Sequence, residues 1–379
     1  MRPCSAPALS DDLEFAGLAA AVRSQAQRVR VVGNGSRLVF GTRTLSRDEY
    51  AFGLETFARL AEGASDKQAF FAEVRRLYDF YEVYGGDGWG EVLVTSYYEP
   101  EIRGSRKKTK ELSQPLMRAP SDLVEVAISK YDDRFAEVGT MRGRLIASAN
   151  GPGKLQLVPY YSREEIDGGA LARRGLELAY VDPIDAFFLQ IQGSGTIVLD
   201  DGARLRVGYS EQNGHKYESI GRFLTDVISK DKITLMAIES YLRSMPVEKA
   251  RGILQRNPSF VFFSDRGAGA PLTMLGTPVV PGRTIATDTR YFQKGTLAFL
   301  VFEQPRFADA AANEPSAWEK TSRFVVDDDT GGAIRGGGRV DLFWGAGAEA
   351  RRYAGVMKAP GRLVYLVPGE ELLKRIAVP

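Results

Sequence analysis

Arg323-Phe-Val-Val-Asp-Asp-Asp329-Thr-Gly-Gly-Ala-Ile-Arg-Gly-Gly-Gly-Arg-Val-Asp341-Leu-Phe-Trp-Gly345 is the most informative run in the chain. It opens with apolar, β-branched residues, which favour a strand. A carboxylate cluster, Asp327 to Asp329, follows, and then a Gly-rich turn. The chain re-enters an apolar strand at Val340 with one acid, Asp341, set inside it. Side chains alternate across a strand, so Asp341 shares a face with Arg339 and Phe343, while Val340 and Leu342 point the other way. An unpaired carboxylate among apolar neighbours is expensive. Such a group gains a raised pKa and can hold a proton near neutral pH, as a general acid must.

Outward from this run, the chain reads as strands and Gly/Pro turns. Thr284–Thr287, Leu297–Phe302, Ser322–Val326, Val340–Phe343 and Leu363–Val367 are expected strands. Short strands at this spacing suggest a closed barrel or a sandwich. Asp288 sits at the edge of one of them. With Asp329 and Asp341 it makes three acids in one β-rich region, an acid/base residue with partners that set its pKa and position. Asp288 and Asp329 also fit turn caps, which Asp favours.

The first 90 residues have a different character. A helix is expected over 11–30. Ser46-Arg-Asp-Glu49 is a capping box opening a helix to about Glu62. Ser65-Asp-Lys-Gln68 opens a third, with Phe70, Phe71, Val74, Leu77, Tyr78 and Tyr81 at helical spacing. Glu91 to Tyr98 then reads as a strand, stopped by Pro100. Ser105 to Lys110 is a short basic loop, read as a solvated turn. Ser162-Arg-Glu-Glu165 is another capping box. Ala186 to Gln192 is an apolar run that would place Gln190 and Gln192 on one face if extended. Asp201-Gly202 marks a hairpin between Thr196–Leu199 and Ala203–Val207. Tyr217–Ser229 reads as an amphipathic helix, and two short helices run on to about Arg256. Tyr97, Tyr98, Phe187, Phe188 and Trp344 fit either a sugar-binding groove or ordinary core.

The chain has 379 residues, enough for two or three domains. It is 44% hydrophobic and 26% charged, with 50 Lys and Arg against 48 acids. That balance argues against nucleic acid as a partner. One Cys and one His make a zinc site very poorly supplied. Lone His215 before a helix reads as a hydrogen-bonded structural residue. Acid/base chemistry therefore falls to carboxylates, Tyr or Lys, and no metal or cofactor is called for. Asp329-Thr-Gly-Gly occurs in aspartic proteases, but those need two such loops and there is no second copy. No apolar leader, lipoprotein acceptor or spanning stretch is visible.

Six strings occur in order: Thr95-Ser-Tyr-Tyr-Glu-Pro100, Asp185-Ala-Phe-Phe-Leu-Gln-Ile-Gln-Gly-Ser-Gly195, Asn213-Gly-His-Lys-Tyr-Glu-Ser-Ile-Gly221, Asn257-Pro-Ser-Phe-Val-Phe-Phe263, Asp329-Thr-Gly-Gly-Ala-Ile334 and Asp341-Leu-Phe-Trp-Gly345. Together they resemble the membrane-bound lytic murein transglycosylase A family, with its C-terminal three-aspartate domain, over roughly residues 45–370. The resemblance implies a mainly β chain with N-terminal helices (α+β), built as a double-psi β-barrel domain with a second β-rich domain inserted. The expected division is residues 1–100 and 241–379 for the barrel domain with its helices and 101–240 for the insert, the first barrel strand being Val92 to Tyr98.

It further implies a peptidoglycan lytic exotransglycosylase, a lyase acting on polysaccharide. Such an enzyme cleaves the β-1,4 bond between N-acetylmuramic acid and N-acetylglucosamine without water and leaves 1,6-anhydromuramyl ends. By matching strings, Asp341 is the implied catalytic acid, Asp329 and Asp288 its two signature partners, and Thr95, Tyr98, Gln192 and Ser194 the sugar contacts. The Gly-rich turn between the last two acids is about one residue longer than in some relatives. The implied partner is the glycan strand, with other cell-wall enzymes as further partners, and the chain is expected as a monomer in the periplasm or at the outer membrane. Two other readings stay open: a non-catalytic peptidoglycan-binding barrel and a two-carboxylate glycoside hydrolase.

Overall fold

The barrel strands lie where the apolar runs place them. The computed structural model describes residues 1–32, 36–86, 88–130, 134, 140–149, 151, 153–229, 232–267, 271–309, 312, 314–332 and 334–376. Ala333 of the Gly-rich turn is outside this set. The chain divides into two compact units, residues 1–98 with 270–379, and residues 99–269.

In the first unit we name six barrel strands: β1 (Glu91–Glu99), β2 (Thr284–Ala286), β3 (Thr296–Arg306), β4 (Ala317–Asp329), β5 (Arg339–Ala346) and β6 (Ala359–Pro368). They pair in the order β6-β3-β4-β2-β5-β1, and β1 returns to β6, so the sheet closes on itself. Closure removes the edges that an open sheet would expose. β2 runs parallel to β4 and antiparallel to β5. β6 changes partners along its length. Residues Ala359 to Arg362 pair with β1, and Val364 to Pro368 pair with the short strand Tyr78–Glu82.

Three helices pack on this barrel: α1 (Leu18–Val31), α2 (Arg47–Glu62) and α3 (Lys67–Leu77). β3 reads as a near-continuous apolar run because both of its faces are covered. Phe57, Phe70 and Phe71 of the helices meet Phe324 of β4, with ring centroids 5.1 to 6.4 Å apart. Phe57 and Phe70 meet Phe324 edge to face and Phe71 stacks on it, contacts that add to simple burial. The expected capping box starts α2, with Ser46 and Glu49 each bonding the other's backbone. α3 is capped by Asp66 rather than Ser65. It also ends sooner than the aromatic spacing suggests. Tyr78 and Tyr81 are buried but extended, because pairing with β6 takes their backbone groups.

The second unit holds a six-stranded sheet and a three-stranded sheet. The Asp201-Gly202 hairpin forms as expected, with Ser194–Leu199 against Arg204–Gln212. Residues 241–269 belong here, not to the barrel as the sequence division had it. The Val247–Leu254 helix packs on the Pro183–Gln192 helix, and Val261–Asp265 pairs with Arg204–Gln212. The run Ala186 to Gln192 is helical rather than extended. Asp182 caps it, Pro183 fills the first turn, and Gly193 ends it at φ 81°. The helix expected over Tyr217–Ser229 shrinks to a short turn, Ile220–Phe223, whose Ile220 and neighbouring Leu224 still enter the core. Among the described residues, no helix is long and apolar enough to cross a membrane.

Candidate active site

β2 lies between β4 and β5, and this sets the geometry of the acids. Ala286 pairs with Asp329 on one side and with Asp341 on the other. Two strand spacings put the two backbones about 10 Å apart. Asp288 follows just beyond the end of β2. The barrel therefore gathers the three expected acids at one end of β2.

Asp341 is 9% exposed. It is not the unpaired carboxylate that its apolar neighbours suggested. Thr95 of β1 donates its hydroxyl to Asp341 Oδ1. Arg339 Nε lies 3.1 Å from the same oxygen and 3.1 Å from Thr95 Oγ1, and its Nη2 lies 3.4 Å from Oδ2. The physical reason is strand alternation. Arg339 is two residues earlier on the same face, and it reaches along the strand to its neighbour.

Asp329 is held from both sides. Its Oδ2 accepts the Tyr97 hydroxyl at 2.8 Å, and its Oδ1 accepts the N–H groups of Met274 and Thr330, both at 3.0 Å. Burial pushes this carboxyl up, against the pull of those donors and of Lys294. Burial and the Asp329 charge push the Tyr97 phenol well above its usual range, so it stays a donor. The Tyr97 ring rests 5.1 Å from that of Phe343.

Asp288 caps a turn. Its oxygens accept Arg290 Nε at 3.1 Å and Nη2 at 2.6 Å, the Arg290 N–H at 3.1 Å and the Gly336 N–H at 2.8 Å. The Arg290 guanidinium holds this carboxyl far below the usual range. The Gly336 bond ties the Gly-rich segment down three residues before Arg339-Val-Asp341 starts. Further along, that segment meets another backbone almost directly. A Cβ on Gly338 would sit 2.3 Å from the Gly86 nitrogen, so the contact needs glycine.

Two more acids are buried on β4. Asp327 accepts from Lys294 Nζ at 2.6 Å, Tyr365 at 2.6 Å and Thr287 at 2.8 Å. Asp328 accepts from Gln25 and Thr277, each at 2.7 Å, and burial pushes it up to about 7. The folded chain thus binds a proton here more readily than the unfolded one. Asp328 favours folding below the ordinary carboxylate pKa, and that contribution fades as pH rises toward 7. Asp328→Asn keeps the shape and removes the charge. Its melting temperature relative to wild type is expected to climb between pH 5 and pH 8; a difference that stays flat across that range would contradict the assignment.

The expected sugar contacts are divided between the two units. Thr95 reaches Asp341. Tyr98 lies on the opposite face of β1 from Thr95, 5% exposed. Gln192 ends the Pro183–Gln192 helix and Ser194 opens the next strand, both in the second unit and half-buried. His215 has Nε2 2.7 Å from the Tyr160 carbonyl, a structural contact. Tyr97 and Arg339 are the site residues that the string matching passed over. Residue parity was the available signal: Tyr97 is two past Thr95, and Arg339 is two before Asp341. Among the described residues, no cluster of three or more His, Cys, Asp or Glu is arranged to hold a metal ion.

Residues 93–264 match the MltA specific insert domain, and residues 283–367 match the 3D domain. The chain is 30% identical over 289 residues to membrane-bound lytic murein transglycosylase A of Escherichia coli strain K12, covering 75% of this chain and 68% of that one. The crystal structure of a membrane-bound lytic murein transglycosylase from Agrobacterium tumefaciens superposes with a TM-score of 0.72 at 27% identity, over 99% of this chain and 98% of that one. The fold is also that of E. coli MltA solved with bound chitohexaose, at a TM-score of 0.70 and 24% identity, over 97% of this chain and 95% of that one. In these terms the closed six-stranded sheet is a double-psi β-barrel with a second domain inserted after its first strand. A barrel carrying three acids, an insert and a relative of this identity and coverage agree on one assignment: the chain belongs to the membrane-bound lytic murein transglycosylase A family.

Proposed function

We propose that this protein cleaves the β-1,4 bond between N-acetylmuramic acid and N-acetylglucosamine in peptidoglycan without using water, with Asp341 as acid and then base. The glycosidic oxygen takes the Asp341 proton as its bond to C1 breaks. The muramyl C6 hydroxyl oxygen then bonds to C1, and its proton passes to the Asp341 carboxylate. The products are a free 4-hydroxyl and a 1,6-anhydro ring, and the acid is restored. No second nucleophilic carboxylate is required, unlike most glycosidases.

One observation carries this assignment. Asp288 and Asp329 have both oxygens engaged by hydrogen bonds of 3.2 Å or shorter, whereas Asp341 Oδ2 meets Arg339 at 3.4 Å. Asp341 Oδ2 is the oxygen we assign to proton transfer. Asp288 anchors the Gly-rich segment, and Asp329 supports the site through its neighbours. Thr95 orients Asp341, and Gln192 and Ser194 remain our assignments for glycan contacts, while Tyr98, buried on the face of β1 opposite Thr95, is withdrawn as one. The setting is the cell envelope, where peptidoglycan is found.

Digestion of purified peptidoglycan, with products weighed by mass spectrometry, tests the reading. Muropeptides lacking one water at the muramyl end support it. Water-added reducing ends would instead indicate the two-carboxylate hydrolase, and binding without turnover the non-catalytic barrel.

A further inference from the structure

We infer that Tyr97 is a positioning residue for this reaction, bracing β1 against the strands on either side of the Gly-rich segment and so fixing where Asp341 sits. The inference rests on the transglycosylase reading and deepens it. Tyr97 makes two different contacts with two different strands. Its hydroxyl donates to Asp329 at the end of β4, at 2.8 Å. Its ring lies 5.1 Å from that of Phe343 on β5, tilted by 44°. Phe343 is two residues past Asp341 and shares its face, and Tyr97 is two past Thr95 and shares its face. β1 therefore meets Asp341 at residue 95, and meets Asp329 and Phe343 at residue 97. Through Asp329 Oδ1 the brace extends to the Met274 N–H.

Aromatic rings lose little side-chain freedom when ordered, and a hydroxyl on a carboxylate makes a charge-assisted bond, so this is a stiff link. The ionisable groups acting on Asp329 are Tyr97 on β1 and Lys294 ahead of β3, and Tyr97 in turn feels Asp341 and Asp328 as well as Asp329. Residues 271–278 carry no ionisable side chain. Tyr97 donates to the charged form of Asp329, so losing that donor favours the protonated form.

Tyr97→Phe keeps the ring and removes the hydroxyl. Its kcat on peptidoglycan is expected to fall about tenfold with KM within about twofold, and the acid limb of kcat against pH, which we assign to Asp329 working as the charged carboxylate, to move up. A carbon-13 titration of the Asp329 carboxyl is expected to move the same way, and this readout needs no substrate. Unchanged kcat, acid limb and carboxyl titration would overturn the inference. Should Tyr97→Phe fail to fold, 3-fluorotyrosine at position 97 keeps the brace with a more acidic hydroxyl. The acid limb should then move down, and an unmoved limb would again overturn it. Wild-type protein that turns over no peptidoglycan would remove the transglycosylase reading, while the carboxyl titration still decides the brace.

Discussion

Asp341→Asn is expected to lose about a thousandfold or more of peptidoglycan turnover while its melting temperature stays close to wild type. General acid–base help is commonly worth 10²- to 10⁴-fold, and here one group supplies it twice in each cycle. The amide cannot donate as an acid, and it cannot take the C6 hydroxyl proton afterwards. The replacement is nearly isosteric, and its oxygen can still accept from Thr95 and Arg339, the partners now on Asp341 Oδ1. Binding of a chitooligosaccharide, measured by calorimetry, should therefore survive. Turnover within about tenfold of wild type would displace Asp341 from the catalytic role.

The second large effect concerns folding. Arg283 immediately precedes β2, and its side chain is fully buried. Asp11, from the segment before α1, grips it with two bonds, at 2.6 and 2.8 Å. The guanidinium also donates to the carbonyls of Ala16 and Phe324, each at 3.0 Å. Asp11 in turn accepts the Phe324 N–H at 3.2 Å, so it ties the segment to β4 as well. Removing one member of a buried pair strands the other charge, and such changes cost about 3–5 kcal/mol. Asp11→Ala is expected to destabilise by that amount in denaturant unfolding. Asp11→Ala combined with Arg283→Met removes both charges, and it should recover a large part of the loss. A single variant within about 0.5 kcal/mol of wild type would contradict this account.

Much of the barrel was legible because its strands are buried on both faces. β3 and the second half of β6 carry unbroken apolar runs bounded by Gly and Pro, which few other structures tolerate. The capping boxes at Ser46 and Ser162 were equally plain, because a local pair of side chains satisfies the first backbone donors of each helix. The failures share a cause. Tyr78 and Tyr81 continue a helical spacing, yet a distant strand, β6, takes their backbone groups. Ala186 to Gln192 reads as either strand or helix, because a short, mostly apolar run has no clear period. Its Asp182-Pro183 start and Gly193 stop mark a buried helix instead. Residues 241–269 could not be assigned to a unit from composition, because these partners lie 49 or more residues away in sequence, as in the pairing of Val261 with Gln212 and the packing on the Pro183–Gln192 helix.

At the site, the position of Asp341 was legible and its company was weighed wrongly. The strand pattern already put Arg339 on its face, but an apolar neighbourhood was given more weight than one long, reaching cation. Tyr98 was favoured over Tyr97 on string matching, whereas alternation from Thr95 selects Tyr97 for the acid side of β1. Asp288 and Asp329 illustrate the converse. Their residue type signalled the site, but whether each oxygen is already occupied depends on contacts from Arg290, Gly336, Met274 and Tyr97 that no local pattern reveals.

The central claim is that the C6 hydroxyl of the muramyl residue, and not water, captures C1. Digesting peptidoglycan in water enriched in heavy oxygen and reading the isotope at each new chain end tests it most directly. The account predicts anhydromuramyl ends with no heavy oxygen, produced by wild type and absent with Asp341→Asn. Heavy oxygen at the anomeric position of newly formed ends would contradict it.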